Sequence, residues 1–387
     1  MRFTDKIKRL RPSATLSITA RAKAMRKSNI DVISFGAGEP DFDTPRTIKI
    51  AALNAMEAGL TKYTPAAGTP ELRSAVCDKF RKENGLKCEP DDVVISCGAK
   101  HSLYNIFQVL CSKGDEVLII SPYWVSYPEM VSLAGGAPRF IKTDEKNAFV
   151  ADPEEVKKSI TKRTKALILN SPSNPAGAVY DEAAVKKIAE IAVSKKIFVI
   201  SDEIYEKLIY DNEKHVSIGS LGKEMAGLTF TVNGVSKTYS MTGWRVGYAM
   251  GPKEVMNKIA ALQSHSTSNP ASISQAAALA ALKGGYGEAE KMRKEFVKRR
   301  DYMVGRINSF SGMSCINPKG AFYIFANIAK TGLNSVKFTE RLLEEAHVAS
   351  VPGAPFGSDR HIRLSFATGM PVIKKGLDRI EKWLKRL

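Results

Sequence analysis

The feature that most constrains the fold is a regular alternation of short apolar strands with amphipathic helices through the middle of the chain. Between the strands lie helical stretches such as 101–113 and 182–196, with apolar residues at i, i+3 and i+4. Short apolar strands separated by helices indicate an α/β fold with a parallel sheet buried on both faces. Ligands collect at the carboxyl ends of the strands in such sheets. The predicted strands are 92–96, 116–120, 165–170, 197–201 and 228–234.

A smaller α+β unit is predicted to follow. A long helical stretch near 270–310 leads to the apolar segments AFYIFANI and HIRLSFA, which flank a helix predicted at 335–346. A length of 387 residues suits one large domain plus a smaller one. We predict an N-terminal segment packing with the small domain, a large domain and a small C-terminal α+β domain, over residues 1–40, 41–290 and 291–387 respectively.

Composition excludes several classes of protein. No run of 18 apolar residues exists, so we expect no membrane-spanning helix, and the basic N-terminus lacks the apolar stretch of a secretory signal. A cytoplasmic location is therefore expected. The net charge is +18, but no helix-turn-helix, RNP or zinc-finger pattern is present. A solvated basic surface is therefore preferred to nucleic-acid binding, and it would also draw anionic ligands toward a cleft.

The cysteines and histidines do not indicate a metal site. The five cysteines are scattered without a C-x-x-C pair, and the five histidines form no H-E-x-x-H pattern. We expect no bound metal, and we expect all five cysteines to be reduced and structural.

Four strand ends carry residues suited to chemistry. Ser96-Cys97-Gly98-Ala99-Lys100 opens a helix, where small residues and backbone N–H groups suit an anion. Asn174 lies in a loop rich in proline, where it can present a fixed amide. Asp202 ends a buried strand and needs a cationic partner there. Lys237 follows another strand among small residues, where desolvation would lower its pKa and suit it to Schiff-base chemistry.

Each of these signals has a simpler interpretation as a turn, a loop or a surface lysine. Together they supply an anion cradle, an amide donor, a carboxylate and an amine, with Arg245 eight residues beyond Lys237. Pyridoxal phosphate (PLP) requires this set of groups for its phosphate, its ring oxygen, its pyridine nitrogen and its imine.

The motifs resemble those of the fold-type I, class-I PLP-dependent aminotransferases, in the branch of bacterial aspartate and prephenate aminotransferases. The resemblance covers nearly the whole chain and implies a mostly parallel seven-stranded sheet between helices plus a smaller α+β domain. Its motifs run in the order RPSAT, GAGEPDFDTP, KYTPAAGTPELR, SPYWVSYPEM, NSPSNPAGAVY, SDEIYE, NGVSK, MTGWRVGY, GAFYIF, VPGAPFG and HIRLSFA.

The resemblance implies catalytic and ring-binding roles for five residues. Lys237 is implied as the Schiff-base lysine and then as the acid and base of the proton shift. Asp202 is expected to pair with the pyridine nitrogen, and Trp124 to stack on the ring. Asn174 and Tyr205 are expected to hydrogen-bond the phenolic oxygen. Trp124 could instead be a buried core aromatic.

The phosphate contacts implied by the resemblance come from Gly98, Ala99, Lys100, Ser236 and Arg245. The family commonly has a hydroxyl residue three positions before the lysine, but Gly234 stands there, which puts one phosphate hydrogen bond in doubt. Tyr63 is expected to reach the phosphate of a second subunit, so the resemblance implies a homodimer with shared active sites.

Substrate binding is expected to depend on Arg363, which can grip an α-carboxylate with two parallel hydrogen bonds. Gly38 is expected to donate its backbone N–H to the same carboxylate, with Trp124 and Asn174 nearby. The resemblance places Lys100, Arg11 and Thr15 near the distal group of a dicarboxylic substrate. Arg363 could instead belong to a structural ion pair, and Lys100 could serve phosphate alone.

The sequence thus predicts a PLP-dependent aspartate aminotransferase acting on amino acids and 2-oxo acids, with prephenate as a second acceptor. The alternatives are an aromatic, alanine or kynurenine aminotransferase, or a non-catalytic PLP-binding regulator. Such regulators carry a DNA-binding domain, for which the resemblance leaves no spare residues.

Overall fold

The computed structural model describes residues 4–8, 10 and 14–387. For residues 5, 6, 14–16 and 19 it describes the backbone alone. The α-helices are α1 Asp5–Lys8, α2 Ala14–Lys27, α3 Arg46–Glu57, α4 Pro70–Asn84, α5 Ala99–Leu110, α6 Ser126–Leu133, α7 Pro153–Ser159, α8 Glu182–Lys195, α9 Lys223–Ala226, α10 Lys253–Ser264, α11 Ser272–Lys283, α12 Gly287–Asn308, α13 Ser335–Ala346 and α14 Met370–Leu384. The strands are β1 Ile33–Ser34, β2 Val93–Ser96, β3 Glu116–Ser121, β4 Ala137–Lys142, β5 Thr164–Asn170, β6 Phe198–Asp202, β7 Thr229–Gly234, β8 Gly247–Met250, β9 Tyr323–Asn327, β10 Val348–Ala349, β11 Val351–Pro352 and β12 His361–Ser365. Among these residues, no helix has the length and apolar character needed to cross a membrane.

The central sheet has seven strands in the order β2-β8-β7-β6-β5-β3-β4. All five strands predicted from the apolar runs are present in it, each within one residue of the predicted bounds. The sheet is not wholly parallel, because β8 runs antiparallel to both β2 and β7. The prediction of a mostly parallel seven-stranded sheet is therefore confirmed, and the simpler expectation of an all-parallel sheet is wrong.

This topology gathers the predicted site residues at one edge of the sheet. Because β8 is antiparallel to both of its neighbours, β2 has the same direction as β7, and β7, β6, β5 and β3 are mutually parallel. The carboxyl ends of β2, β3, β5, β6 and β7 consequently face the same side. Gly98, Trp124, Asn174 and Lys237 follow four of these ends, and Asp202 is the last residue of β6. Their apolar side chains are buried in clusters against helices such as α5 and α8.

The C-terminal part forms a separate three-stranded antiparallel sheet in the order β11-β12-β9. Helix α13 has the predicted bounds, and the helical stretch predicted near 270–310 is formed by two helices, α11 and α12. The two helices are interrupted at Gly284 and Gly285. Gly285 has φ +76°, which a right-handed helix cannot accommodate.

The N-terminal segment is joined to this C-terminal part. Strand β1 pairs in parallel with β10, and the Ser365 N–H donates to the Phe35 carbonyl. The same connection carries residues 36–39 past β12 toward the carboxyl edge of the large sheet. The division into three units at residues 40 and 290 stays a prediction.

Candidate active site

A cavity of ≈ 400 Å³ lies at the carboxyl edge of the central sheet. It is closed on the opposite side by β12 and the segment after β1, so two sheets and the N-terminal segment contribute to one site. The cavity is lined by most of the residues that the sequence predicted, namely Gly38, Ala99, Lys100, Trp124, Asn174, Asp202, Tyr205, Ser236, Lys237, Arg245 and Arg363.

Four predicted residues are not among the described residues that line the cavity. Gly98 is next to the cavity but is not among its lining residues, and Tyr63 is 91% exposed on the surface of the protomer. Arg11 and the side chain of Thr15 lie outside the described residues, so their predicted roles near the distal group stay predictions.

The Lys237 amine projects into the cavity beyond the end of β7. Its Nζ donates a hydrogen bond to the Gly38 carbonyl. Burial, with the positive charges of Arg363 and Arg245 adding to it, lowers the pKa of Lys237 to about 8, although Glu39 and Asp202 oppose the shift. A substantial fraction of this amine is therefore neutral near physiological pH, as a nucleophile or a base must be.

Asp202, the last residue of β6, is a buried carboxylate held by neutral donors. The Tyr127 hydroxyl donates to its Oδ2 at 2.6 Å, and the Ile204 N–H donates to its Oδ1 at 3.3 Å. Burial raises the pKa of Asp202 to about 6, against the lowering effect of the Tyr127 hydrogen bond. No cation lies within salt-bridge distance among the residues that the structure describes, so this carboxylate is available to a cationic ligand group.

Asn174 and Tyr205 face the cavity from the ends of β5 and β6. The Asn170 side chain accepts from the Asn174 N–H at 3.0 Å, which fixes the loop in place. The Asn174 Oδ1 accepts from Arg363 Nη1 at 3.0 Å, so its NH2 group is the part that can donate to a ligand. The Tyr205 hydroxyl lies 3.0 Å from that of Tyr323.

An anion cradle lies where β2 leads into α5. Gly98 has φ +87°, and a Cβ built there would lie 2.5 Å from Arg245 Nη2, so only glycine lets the guanidinium approach this backbone. The Arg245 guanidinium is held by its donation to the Thr242 carbonyl at 2.8 Å. The N-terminal N–H groups of α5 and this cation together suit a phosphate.

The departure at Gly234 has a steric reason. A Cβ at position 234 would lie 3.0 Å from the Gly247 Cα and 3.1 Å from the Val246 carbonyl oxygen. A hydroxyl residue there would push on the neighbouring strand β8. Ser236, which lines the cavity, is the hydroxyl placed next to the lysine instead.

Arg363, on β12, is 2% exposed and is aimed at the cavity. Its Nη2 donates to the Gly36 carbonyl at 2.9 Å, and its guanidinium carbon lies 4.4 Å from the centre of the Tyr323 ring. No carboxylate is within salt-bridge distance in the described part of the chain, so the alternative of a structural ion pair has no support. A buried guanidinium without a counter-ion suits a bound carboxylate.

Lys100 supplies a second cation at the mouth of the cavity. Its Nζ lies 4.9 Å from the centre of the Trp124 ring, and no carboxylate among the described residues pairs with it. Partial burial, and then the positive charge of Arg245, lowers the pKa of Lys100. Trp124 lines the cavity and contacts Tyr127 edge to face, and it is partly buried at the border of the core rather than enclosed in it.

Four further residues of the site received no role from the sequence. Tyr127 holds Asp202, Tyr323 contacts both Tyr205 and Arg363, and the Thr242 hydroxyl donates to Glu39 at 2.7 Å. All four lie within the motifs SPYWVSYPEM, GAFYIF, MTGWRVGY and GAGEPDFDTP. Motif membership was thus an available signal, but the partner of each residue is distant in sequence.

A cluster of residues with metal-ligand chemistry lies next to the site, although the spacing of the histidines in the sequence indicated no metal site. Glu203, Glu206 and His215 bring ligand atoms within 4.8 Å of one another. These atoms already have partners, because Lys79 pairs with Glu206 and the Asn84 amide donates to both carboxylates. Burial opposes ionisation of Glu206, but the charges of Lys79 and His215 and the hydrogen bond from Lys79 together lower its pKa to about 2. The cluster is therefore a closed ion-pair network.

Comparison with known proteins agrees with this geometry. Residues 30–380 match the family described as aminotransferase class I and II. The aspartate aminotransferase of Geobacillus stearothermophilus is 47% identical over 390 residues, covering 100% of this chain and 99% of that protein. The aspartate/prephenate aminotransferase of Thermus thermophilus is 44% identical, with 99% of each chain covered. The structure of Thermus thermophilus aspartate aminotransferase with maleate matches this chain with a TM-score of 0.95 and 43% identity. The match covers 99% of this chain and 100% of that chain.

Proposed function

Since this chain belongs to the class I and II aminotransferases, we propose that it is a PLP-dependent aspartate aminotransferase with prephenate as a second acceptor. The reaction exchanges the amino group of L-aspartate with 2-oxoglutarate to give oxaloacetate and L-glutamate. The observation that carries the proposal is that one cavity brings together an amine with a lowered pKa, a buried carboxylate and two cations, Arg363 and Lys100, that pair with no carboxylate among the described residues.

The cavity residues fit PLP. The cradle of Gly98, Ala99 and Arg245 suits its phosphate, and glycine at position 98 leaves room for the guanidinium to reach it. Asp202 suits a protonated pyridine nitrogen, because burial leaves its carboxylate short of a cation. PLP supplies an aldehyde that takes up the amino group and a ring that withdraws electrons from the reacting carbon.

The residues around the ring prepare this chemistry. With PLP bound, Asp202 would keep positive charge on the pyridine nitrogen, and Tyr127 donates to Asp202 at 2.6 Å, which favours its ionised form. Asn174 and Tyr205 would donate to the phenolic oxygen. Lys237, with its pKa lowered to about 8, takes and returns the proton at the substrate Cα.

Two cations select the substrate. Arg363 binds the α-carboxylate that every amino acid carries, and Gly38 adds a backbone N–H. Lys100 binds the distal carboxylate of aspartate or glutamate. Maleate, named with the Thermus thermophilus structure, is also a dicarboxylate. An alanine or aromatic substrate would leave the Lys100 charge without a partner, which disfavours the alternative specificities.

Prephenate is also a dicarboxylate, so the same two cations suit it. The aspartate/prephenate aminotransferase from Thermus thermophilus supports this second activity. Arg11 is our candidate for favouring prephenate, although it lies outside the described residues.

The deciding experiment measures kcat/KM for prephenate and for oxaloacetate as amine acceptors, with glutamate as the donor to both. Comparable values place prephenate among the substrates. A prephenate value lower by about 10³ or more, on the order of 4 kcal/mol of transition-state discrimination, leaves a dedicated aspartate aminotransferase. Failure of both acceptors would overturn the dicarboxylate assignment.

A homodimer completes the proposal. Helix α3 carries a row of exposed apolar side chains on one face, and the chain that follows it extends this surface to Tyr63. This surface, formed by Ile50, Leu53, Met56, Leu60 and Tyr63, suits a second copy of the chain. Tyr63 would then reach the phosphate of the partner's site. Sedimentation analysis of a Leu53→Lys variant tests this surface, and an unchanged dimer would contradict it.

The three-domain division and a cytoplasmic location remain parts of this proposal. Limited proteolysis with cleavage mapping tests the predicted boundaries, which place cuts near residues 40 and 290.

A further inference from the structure

Two cysteines meet beside helix α4. Cys77 lies in the middle of α4, and Cys88 lies in residues 85–92, which we call the return segment. Gly85 ends the helix with φ +66°, and the Leu86 N–H donates to the Phe80 carbonyl. The chain therefore folds back along α4, and Cys88 comes to lie against Cys77.

The two sulfur atoms are 2.6 Å apart. A disulfide bond is about 2.05 Å long, so a movement of roughly half an ångström would complete it. The other three cysteines, Cys97, Cys111 and Cys315, have no sulfur partner in the described part of the chain. Sequence spacing gave no reason to single out this pair from the five cysteines.

The surroundings favour reaction at Cys77. Its hydrogen bond with Cys88 lowers the pKa of the Cys77 thiol, and the charge of Arg81 adds to the effect. The thiolate is the form that attacks a disulfide. The guanidinium of Arg81 also donates to the Cys88 carbonyl and pairs with Glu89 at 3.1 Å, so one cation holds both the return segment and the thiol pair.

The pair is buried, but the residues on either side of Cys88 are at the surface. Cys77 and Cys88 are 0% and 2% exposed, whereas the neighbours of Cys88, Lys87 and Glu89, are exposed. Local opening of the return segment would therefore admit a small reagent without unfolding the sheet.

We propose that Cys77 and Cys88 are an oxidative modification site at which a reversible disulfide joins α4 to the return segment. The Cys77 thiolate attacks one sulfur of a low-molecular-weight disulfide such as oxidised glutathione, and one glutathione thiol leaves. The hydrogen bond with Cys77 and burial raise the pKa of the Cys88 thiol in the reduced pair. Once Cys77 is in the mixed disulfide, Cys88 gives up its proton as its sulfur attacks the Cys77 sulfur, and the second glutathione thiol leaves. Two protein thiols are oxidised, and one glutathione disulfide is reduced to two thiols, which carry away the two protons.

The bond stabilises the fold without entering the site. It closes a short loop that leads directly into β2 and restricts the unfolded chain. Neither cysteine lines the active-site cavity, so kcat/KM should be unchanged by oxidation. The melting temperature should rise by about 3–6 °C.

The test incubates the full-length folded protein in glutathione redox buffers, and in parallel refolds it in the same buffers. Free thiols are then alkylated under denaturing, non-reducing conditions and counted by intact mass. Reduced protein has five free thiols, and the proposal predicts three after oxidation, with a linked peptide pair that contains Cys77 and Cys88. The Cys77→Ser and Cys88→Ser variants should lose both the linkage and the gain in melting temperature.

Matched variants Cys111→Ser and Cys315→Ser change buried or partly buried cysteines elsewhere and should still form the bond. Five free thiols in the wild type after both treatments would overturn the proposal. A linkage between other cysteines, or glutathione left on the protein without a Cys77–Cys88 bond, would overturn it equally. These results are read on the wild type, so they hold even if a variant fails to fold.

Discussion

Replacing Lys100 with alanine should lower kcat/KM for dicarboxylic substrates more than for neutral ones. The Lys100 Nζ lies over the Trp124 ring at the mouth of the cavity and has no carboxylate partner among the described residues. Removing it therefore leaves no buried protein charge unpaired, and the loss should report the contact with the ligand alone. This property makes Lys100 a cleaner probe of specificity than Arg363, whose removal would also strand Asn174 and Gly36.

The size of the effect follows from exposure. A hydrogen bond to a charged group contributes about 1.5–3 kcal/mol, and exposed ion pairs contribute about 1 kcal/mol or less. Lys100 is exposed in the protomer, although partial burial lowers its pKa. We therefore expect a loss near the lower end of the first range, about 1.5 kcal/mol, which is roughly tenfold in kcat/KM for aspartate. L-Alanine has no distal carboxylate, so its kcat/KM as a substrate should change little.

The assay mixes the PLP-loaded enzyme with aspartate or alanine alone and follows the cofactor absorbance through the first half-reaction. The quantity of interest is the ratio of the two second-order rate constants. A Lys113→Ala variant, which removes an exposed lysine just after α5, is the control and should leave the ratio unchanged. An equal loss for both amino acids would refute the argument and assign Lys100 to the phosphate.

Three further substitutions test the rest of the site. Lys237→Ala should abolish turnover while PLP still binds, as measured by steady-state rates and by absorbance of the dialysed protein; retained turnover would remove the lysine from the mechanism. Arg363→Lys keeps the charge but loses one of two parallel hydrogen bonds, so kcat/KM should fall about 10- to 150-fold for every amino acid through a higher KM. An unchanged KM would mean that another residue binds the α-carboxylate. Tyr127→Phe removes a donor that holds down the pKa of Asp202, so this pKa should rise above its present value of about 6 and more of the carboxyl should be neutral below pH 7. PLP affinity, titrated by tryptophan fluorescence of the apoprotein, should fall more at pH 6 than at pH 8.5, and an equal loss at both pH values would contradict the role of Tyr127.

The strands that form the floor of the site could be predicted because burial on both faces gives them continuous apolar sequences. The two other strands of the sheet lacked this signal. Strand β4 lies at the edge of the sheet with most of its residues exposed, and β8 has the sequence GYAM, which contains no β-branched residue. The helical stretch near 270–310 could be predicted from its periodicity, and Gly284 and Gly285 mark where it divides into α11 and α12.

Most residues that line the cavity were predictable because PLP requires a known set of groups at strand ends. Their supporting partners were not, since these come from distant parts of the chain. Tyr127 reaches Asp202 across 75 positions, and Lys79 reaches the Glu206 carboxylate from α4. An isolated tyrosine or lysine in a helix has no pattern that distinguishes such a role from ordinary packing.

Asp202 shows how the unpredicted partners determine function. Burial alone raises its pKa and would favour the neutral acid, which could not hold a pyridinium ion. A lysine or arginine beside it would keep it ionised but would occupy the place of the ligand. Tyr127 supplies a third solution, because a neutral hydroxyl donor stabilises the carboxylate without cancelling its charge. In the adjacent cluster, Lys79 pairs directly with Glu206 and closes that network to ligands. Two buried acids four residues apart thus have opposite availability because one is paired by a hydroxyl and the other by a cation.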